Sequence, residues 1–564
     1  MKKYILTLFV TLSISHLSFS QENTESVYNE DIIVRTIFDP VVNEAYKIND
    51  KPQTYETKFE IPPFQYEKTT KQFPTTMVFE KIKPAKVKGE PLSKLYNSHI
   101  KAGIGTYFTS LLDLSYTQTR SKDFIYSTHY RHNSSLGQIK DYGNSTFANN
   151  DLTFYAKKIW KNFFLDAGLT YNHQRQYFYG FLDSMDIDKK TYIAPYHNVG
   201  GFVKYQSIYR ENSSLHNSLD FAINHTFNKW GRKETHLAVS GDLHKNFIFL
   251  DSDKQNIGLN INYKHSFGGY DPKDLALFYN EMLPLSFDNN NGSVDIKPYV
   301  NLKIKDFKLN VALDFVPTFG DRKEFQILPS PSAVVEIPTL ANLIKIKAGI
   351  VSNFDFPTLN YLRIENPYLS PLAKIESNNQ MDIFAKVYFI TKSNILLSLK
   401  GGYKMGNNDY FFTLAKNAGL NNMFTLVYDN TKTTYAQLDL AYQIDKKIDL
   451  SLNLLYQNIK TTNLEFAWYK PAFKANLLFR YNANDKFSIS FVPSFQSKVK
   501  CLNPEGEVEE LKSKIDINLA ANYNYNTKLS FFIELNNIAY QRYYNYYNYP
   551  SQRIVLMAGA KYAF

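Results

Sequence analysis

The stretch that decides the fold is the last eleven residues, Ile554 to Phe564, which read I-V-L-M-A-G-A-K-Y-A-F. Every second residue is apolar, and the positions between them are mixed and include Gly559 and Lys561. Successive side chains of a strand point to opposite faces, so this stretch predicts a strand with one oily face. A transmembrane β-barrel suits such an ending, since its last strand pairs with its first. A buried terminal strand of a soluble β-domain fits it equally well. The residues on the oily face are Ile554, Leu556, Ala558, Ala560, Tyr562 and Phe564.

The first twenty residues predict a secretory signal. Lys2 and Lys3 precede an apolar run that ends near Leu12, and small residues surround a cleavage point after Ser20. The run is too short to span a bilayer as a helix. Cys501 is the only cysteine, so neither a lipidated N-terminus nor an internal disulfide is expected. An exported chain of this size must then be held by other means, and a closed hydrogen-bonded barrel would suffice.

Composition excludes several classes of protein. No stretch after the signal has the 18 or more apolar residues of a membrane helix, and mean hydropathy is −0.36. The 43 Tyr and 43 Phe suit a barrel with aromatic girdles at both membrane interfaces. The net charge of +11 comes from scattered Lys and Arg. We therefore expect a solvated surface, with outer-membrane lipid and lipopolysaccharide as surroundings and no nucleic-acid partner.

The chain divides into three regions. Residues 1–20 are the signal, residues 21–97 are polar and broken by prolines, and residues 98–564 show a recurring period of two. Proline removes ladder donors and favours extended backbone, so we expect a periplasmic or lumenal segment with short strands such as Asp31 to Arg35. The prolines are Pro40, Pro52, Pro62, Pro63, Pro74, Pro84 and Pro91.

The period of two predicts an all-β fold, a large transmembrane antiparallel barrel. Several runs reach the roughly 9–11 residues that a tilted strand needs to cross a bilayer. At about 20 residues per strand and connection, the barrel should have about 22 strands, within a range of 18 to 24. The clearest runs are 307–315, 395–403, 436–444, 447–457, 473–481, 487–495, 515–525 and 529–535. Short connections such as 305–306 and 445–446 alternate with long ones at 174–196, 268–291, 354–377 and 541–551.

The C-terminal region resembles the end of TonB-dependent receptors. The matching residues are Phe531 to Asn537 (F-F-I-E-L-N-N), Tyr540-Gln541, Tyr549-Pro550, Arg553 and the final strand. The ending is also similar to the signal that the barrel-assembly machinery recognises. This resemblance implies a large barrel in the outer membrane of a Gram-negative-type envelope, with transport as its activity.

The start of the predicted barrel, 99–107, resembles that of plugless, receptor-like barrels. TonB-dependent receptors carry a plug domain far longer than the roughly 76 residues that stand here before the barrel, and those residues lack a plug-like βα pattern. We therefore expect no full plug, and TonB coupling stays open.

No catalytic, cofactor or metal site is expected. The nearest catalytic cluster is 129–135, where His132 and Ser134 share a strand face, as in outer-membrane phospholipases. Polar strand ends are ordinary where a barrel meets headgroups, so we expect a protein that is not an enzyme. The weak candidate for surface binding is a tyrosine-rich loop, since tyrosines stack on glycans or partners, although an aromatic girdle explains them as well. Its members are Tyr540, Tyr543, Tyr544, Tyr546, Tyr547 and Tyr549.

Two functions fit these features. The first is the movement of a solute across the outer membrane. The alternative is a non-enzymatic barrel subunit of an outer-membrane assembly, secretion or uptake complex, with its lumen obstructed and a periplasmic or surface protein as partner. Strand number sets diameter, so an empty barrel of about 22 strands would be a wide hole. We therefore predict that residues 22–96, or the long loops, obstruct it.

Overall fold

The computed structural model describes residues 95–118, 121–185, 187–208, 215–249, 252–271, 287–321, 325–339, 343–391, 394–415 and 420–564. The predicted signal, the proline-broken segment up to residue 94 and the strand expected near Asp31 lie outside the described residues.

Within those ranges, 22 strands form one antiparallel sheet, and β20–β21 and β24–β25 form two separate hairpins. In chain order the strands are β1 (Ser98–Gly105), β2 (Thr109–Thr117), β3 (Phe124–Ser135), β4 (Phe147–Ile159), β5 (Phe163–Tyr177), β6 (Ile193–Ser207), β7 (Leu215–Asn228), β8 (Arg232–Phe249), β9 (Ser252–Tyr270), β10 (Phe287–Ile304), β11 (Phe307–Gly320), β12 (Phe325–Thr339), β13 (Ile344–Asp355), β14 (Asn378–Ile390), β15 (Ile395–Leu414), β16 (Phe424–Ile444), β17 (Ile448–Thr461), β18 (Phe473–Asn482), β19 (Phe487–Gln496), β20 (Val499–Leu502), β21 (Val508–Leu511), β22 (Lys514–Asn524), β23 (Leu529–Asn536), β24 (Tyr544–Tyr546), β25 (Tyr549–Pro550) and β26 (Val555–Ala563).

The sheet closes where β1 pairs with β26, a line that we call the seam. Ile100 lies opposite Tyr562 and Gly103 opposite Gly559. The terminal residue is part of the ladder, since Ser98 and Phe564 exchange backbone hydrogen bonds of 3.0 and 2.9 Å. The predicted closed barrel of about 22 strands is therefore confirmed.

Two glycines allow the seam to close. A Cβ on Gly559 would lie 2.1 Å from the carbonyl oxygen of Ala102 and 2.5 Å from the Phe532 ring. The ring of Phe532 instead covers the space above Gly103 and Gly559, as aromatic side chains do over glycine in sheets. The seam therefore depends on the absence of side chains at this pair.

The outer face of the wall is apolar. Along β7, Leu219, Phe221 and Ile223 alternate with inward-facing residues and are 51, 41 and 41 % exposed. Exposing such a surface to water costs about 25 cal/mol of free energy per Å² of apolar area. Contact with acyl chains removes that cost. The wall is therefore built to face lipid. Among the described residues, no helix has the length and apolar character needed to cross a bilayer.

The connections at the two ends of the barrel differ. At the end that holds Ser98 and Phe564 they are tight, as at 160–162, 305–306 and 445–447. At the opposite end most are long, although 106–108 and 229–231 have only three residues. The predicted long connection at 174–196 is shorter, spanning 178–192, because β5 and β6 continue upward into packed loop structure.

Candidate functional site

The long loops pack on one another instead of projecting separately. Their buried side chains form one hydrophobic cluster that also includes the upper ends of neighbouring strands. We call this assembly the cap. It consists of the described residues of the loops 136–146, 178–192, 356–377, 415–423, 462–472, 497–513 and 537–554.

The cap crosses the mouth of the barrel. The side-chain amide of Asn422 donates to the carbonyl oxygen of Phe178 at 2.6 Å. Phe178 follows β5 and Asn422 precedes β16, so the two loops arise ten strands apart. Ten strands are almost half of the 22-strand circumference, so the loops must meet over the lumen. The prediction that the long loops obstruct the barrel agrees with this arrangement at one mouth.

Aromatic rings fill the centre of the cap. Tyr549 stacks on Tyr368 with ring centroids 3.4 Å apart, and its edge meets Tyr179 at 4.9 Å. Phe424 and Tyr546 pack beside this stack, with their ring centroids 5.2 Å apart. Tyr179 also donates to the carbonyl oxygen of Pro550 at 2.9 Å. Burial raises the pKa of Tyr179 to about 12, so its hydroxyl stays a proton donor across the physiological range.

A short helix anchors the largest cap loop. Helix α1 (Leu359–Glu365) begins at Thr358, whose hydroxyl accepts from the backbone N–H of Tyr361 at 3.2 Å. Leu359 and Leu362 are three residues apart and therefore share one face, which is fully buried in the cap. Asn366 precedes a proline, a position that disfavours helical backbone, so the helix ends there.

The last turn of α1 carries two charged side chains. Glu365 accepts from the hydroxyl of Tyr410 at 2.5 Å and pairs with Lys470 at 3.2 Å. Burial would raise the pKa of Glu365, but Lys470 and Tyr410 outweigh burial and hold the pKa below its usual value of 4.5. In its charged form, the Glu365 carboxylate therefore links α1 to β15 and to the loop 462–472.

Arg363, in helix α1 of the cap, is fully buried. Its guanidinium lies 4.1 Å from the ring of Tyr196 and donates to the side-chain oxygen of Gln174 at 2.7 Å. Burial lowers the pKa of Arg363 to about 10, so the group stays charged at neutral pH. A buried cation needs such partners, and removing them would be costly.

The chain's single cysteine lies inside the cap. Cys501 is in the β20–β21 hairpin and has no exposed surface. Burial raises the pKa of the Cys501 thiol to about 11. The thiolate is the reactive form of cysteine, so Cys501 should be unreactive while the cap is closed.

The tyrosine-rich loop belongs mainly to the cap interior. Tyr543, Tyr546 and Tyr549 are 2, 7 and 1 % exposed, whereas Tyr540 is 56 % exposed. Tyr544 and Tyr547 are partly buried against the cap cluster. Stacking on a surface ligand stays a prediction, and only Tyr540 among the six is openly presented for it.

The C-terminal residues that form the predicted assembly signal face outward. Leu556, Tyr562 and Phe564 are 43, 43 and 54 % exposed, whereas Val555 and Met557, on either side of Leu556, are buried. The alternation read from the sequence is thus present in β26. Recognition by the assembly machinery stays a prediction.

The inner wall carries charges in cross-strand pairs. Lys297 and Asp314 form a buried pair at 3.2 Å, and Lys101 pairs with Glu534 at 2.9 Å across the seam region. Further pairs join Lys157 to Asp166, Lys204 to Asp220, Lys308 to Glu336, Lys400 to Asp382 and Arg480 to Asp449. The lumen is therefore polar and lined by both signs of charge.

Three lysines lie side by side on this inner wall, and we call them the lysine row. Lys347 lies opposite Lys386, which lies opposite Lys400 on the next strand. Successive side chains of a strand point to opposite faces. Ile383 and Leu399 are an odd number of residues away from Lys386 and Lys400, and they are 41 and 49 % exposed on the outer face. The lysines therefore face inward. The row therefore places three positive charges side by side, although like charges repel in such positions. Glu336 lies opposite Lys347 on β12, and Asp382 pairs with Lys400, so the charge is partly offset.

The described residues contain no group of three or more His, Cys, Asp or Glu side chains arranged to hold a metal ion. Sequence reasoning missed most of the cap, because 136–146, 415–423, 462–472 and 497–513 were not recognised as long loops. Adjacent buried aromatics such as Phe411 and Phe412 break the period of two and were the available signal.

Solved structures share this fold, although neither a known sequence family nor a curated protein matches the chain. The pyoverdine receptor FpvA of Pseudomonas aeruginosa is 12 % identical, with a TM-score of 0.62 over 84 % of this chain and 79 % of that one. The FrpB iron transporter of Neisseria meningitidis is 10 % identical, with 0.63 over 84 and 82 %. The siderophore receptor PirA of Acinetobacter baumannii is 11 % identical, with 0.61 over 84 and 81 %.

These likenesses confirm the predicted receptor-like barrel fold. Proteins named as outer-membrane receptors and transporters share it, which agrees with the predicted outer-membrane location. The proteins compared are named for receptor and transport activity rather than for catalysis.

Proposed function

We propose that the protein moves an anionic solute across the outer membrane, through the barrel lumen and past the cap. The observation that carries the proposal is the combination of a polar lumen with a cap that spans its mouth. A barrel with only a structural role would gain nothing from the charged pairs that line this lumen.

The lysine row indicates the sign of the solute. Lys347, Lys386 and Lys400 place three positive charges at one height of the wall. Asp382 pairs with Lys400 and Glu336 lies opposite Lys347, so two carboxylates offset the row in part. Charges that line a low-dielectric channel raise the local concentration of oppositely charged solutes. Organic anions, including iron chelates of the kind that similar barrels bind, are therefore the favoured class.

The cap supplies the closure that a wide barrel needs. Its loops are joined by side-chain contacts and a few isolated backbone hydrogen bonds, so they can open without breaking the strand ladder of the wall. No catalytic group along the lumen is needed for this movement. Lipopolysaccharide around the wall and the barrel-assembly machinery at the C-terminal strand are the partners that an outer-membrane location implies.

The test uses proteoliposomes that contain the cap-weakened variant Tyr549→Ala in a chain that lacks residues 22–94, so that the N-terminal segment cannot obstruct the lumen. A small anionic dye should enter faster than a cationic dye of similar size. Replacing the lysine row with glutamates (Lys347→Glu, Lys386→Glu and Lys400→Glu together) should reverse that preference. Lys460→Glu is the matched control, because Lys460 lies in register with the outward-facing face of β17.

Two results would contradict the proposal. Equal entry of both dyes would remove the role of the lysine row. No entry of either dye, despite an opened cap, would favour the alternative of a barrel subunit with an obstructed lumen.

A further inference from the structure

The outer face of β2–β5 carries a connected set of polar side chains near the cap end of the wall. His132 Nε2 lies 3.1 Å from Ser134 Oγ, and His132 Nδ1 lies 2.7 Å from Asn150 Oδ1. A nucleophile, a base within hydrogen-bond reach and a third group that orients the base are the three parts of a serine-hydrolase site.

These side chains face lipid and not the lumen. On β4, Leu152 and Phe154 share the face of Asn150 and are 43 and 45 % exposed. On β3, Phe124 shares the face of His132 by the same period and is 42 % exposed. The polar set therefore stands at the upper margin of the oily belt, where ester groups of membrane lipids lie.

The network around Asn150 fixes the protonation of His132. Asn150 Oδ1 also accepts from the Tyr130 hydroxyl at 3.1 Å, and its amide nitrogen lies 3.2 Å from His173 Nδ1. With the amide oxygen turned toward His132, the imidazole carries its proton on Nδ1. Nε2 is then free to accept the proton of Ser134, as a general base must.

A second hydroxyl stands next to the nucleophile. Ser110 Oγ lies 2.7 Å from Ser134 Oγ on the adjoining strand. It is placed to donate to the oxygen of a carbonyl under attack, where a single preorganised donor contributes substantially. Asn133, between His132 and Ser134, faces the other way and is 3 % exposed, so Asn150 on the neighbouring strand is the amide that contacts His132.

We propose that Ser134, His132 and Asn150 form a hydrolase site for fatty-acyl esters at the outer surface of the barrel. Ser134 Oγ attacks the ester carbonyl and passes its proton to His132 Nε2. The bond to the alcohol oxygen breaks, and His132 returns the proton to that oxygen. Water, activated by His132, then hydrolyses the acyl–Ser134 ester and releases the fatty acid. Asn150 is a positioning residue that acts through His132. This activity would be additional to transport and departs from the expectation of a non-enzyme.

The experiment uses the full chain, folded in detergent micelles. Ser134 is 8 % exposed, so a small ester, p-nitrophenyl butyrate, is tested beside mixed micelles of phosphatidylethanolamine. The folded protein should release product from both, and a fluorophosphonate probe should modify Ser134. Ser134→Ala and His132→Ala should each lower the rate about 10²-fold or more.

Matched controls lie on the same strand. His129→Ala removes a histidine that pairs with Asp113 at 3.1 Å on the opposite face, and it should leave the rate unchanged. Retention of the folded, heat-modifiable band in gel electrophoresis shows that each variant forms the barrel. Absence of turnover and labelling in the folded protein, or equal turnover in Ser134→Ala, overturns the proposal.

Asn150 is tested separately. Asn150→Ala should lower the rate, whereas Asn150→Asp should restore it and shift the acidic limb of the pH profile upward, because a carboxylate stabilises the imidazolium form of His132. A purely structural role would leave the pH profile of Asn150→Asp unchanged, and that result contradicts the assignment of Asn150.

Discussion

The barrel wall is held by long runs of paired backbone, whereas the cap is held mainly by side chains, with only isolated backbone hydrogen bonds such as that from Tyr469 to Lys500 at 3.0 Å. At the seam, seven successive residue pairs join β1 to β26. In the cap, several ring contacts and scattered hydrogen bonds join the loops, including one between Phe178 and Asn422, 244 residues apart in sequence. The backbone hydrogen bonds of the wall do not depend on the identity of most side chains. Substitutions that open the cap should therefore leave the wall folded. Opening without unfolding is what transport requires.

The largest expected effect breaks the wall at the seam. Gly559→Val places a side chain against the carbonyl oxygen of Ala102, 2.1 Å from the position of its Cβ. Neither backbone can retreat without losing ladder bonds, so we expect loss of the folded, heat-modifiable form in gel electrophoresis.

Ala560→Val is the control for the seam, because Ala560 shares the outward face of Tyr562 and the added methyl groups meet lipid. A folded Gly559→Val barrel would show that the seam is less constrained than the glycine pair implies.

The next largest effect opens the cap and leaves the wall intact. Tyr549→Ala removes a ring that is 1 % exposed, a change that costs about 3–5 kcal/mol for large aromatic residues. The maleimide labelling rate of Cys501 should therefore rise about 10²-fold or more, while heat modifiability is retained.

Tyr540→Ala serves as the comparison, since Tyr540 is 56 % exposed and its loss should change labelling little. If both variants label at the wild-type rate, then Cys501 is not protected by the aromatic centre of the cap.

A smaller effect tests the polar part of the cap. Glu365→Gln keeps the size of the side chain but removes the charge that holds Tyr410 and Lys470. The Glu365 side chain is about one third exposed, so solvent screening limits the loss to about 1 kcal/mol. Cys501 labelling should accelerate about fivefold, as measured under the conditions used for Tyr549→Ala. Slower labelling would mean that the charge weakens the cap.

The smallest effect is a pH dependence of the same contact. The pKa of Glu365 is lowered in the folded protein, so its stabilisation is complete above its usual value of 4.5 and is lost as pH falls through the lowered value. Labelling of Cys501 by a disulfide reagent that reacts in acid should rise below pH 4.5. The rise should be smaller in Glu365→Gln, and an equal rise in both would assign it to other carboxylates.

The wall was predictable from sequence and the cap was not, for a physical reason. The run at β17 shows its outward face directly, because Ile448, Leu450 and Leu452 alternate with Asp449 and polar neighbours. Cap contacts form between loops that only the closed barrel brings together, so no local periodicity in the sequence predicts them. The outer-face hydrolase site is intermediate, since His132 and Ser134 are two residues apart but Asn150 joins them only through the register of β3 and β4.

The most direct test of the central claim is the conductance of single barrels in a planar bilayer. Tyr549→Ala is compared with the unmutated cap in a variant that lacks residues 22–94, so that the N-terminal segment cannot obstruct either. If the cap closes the lumen, conductance is small with the intact cap and rises several-fold in Tyr549→Ala. Equal conductance, with Cys501 labelling accelerated as predicted, would contradict the claim that the cap closes the barrel.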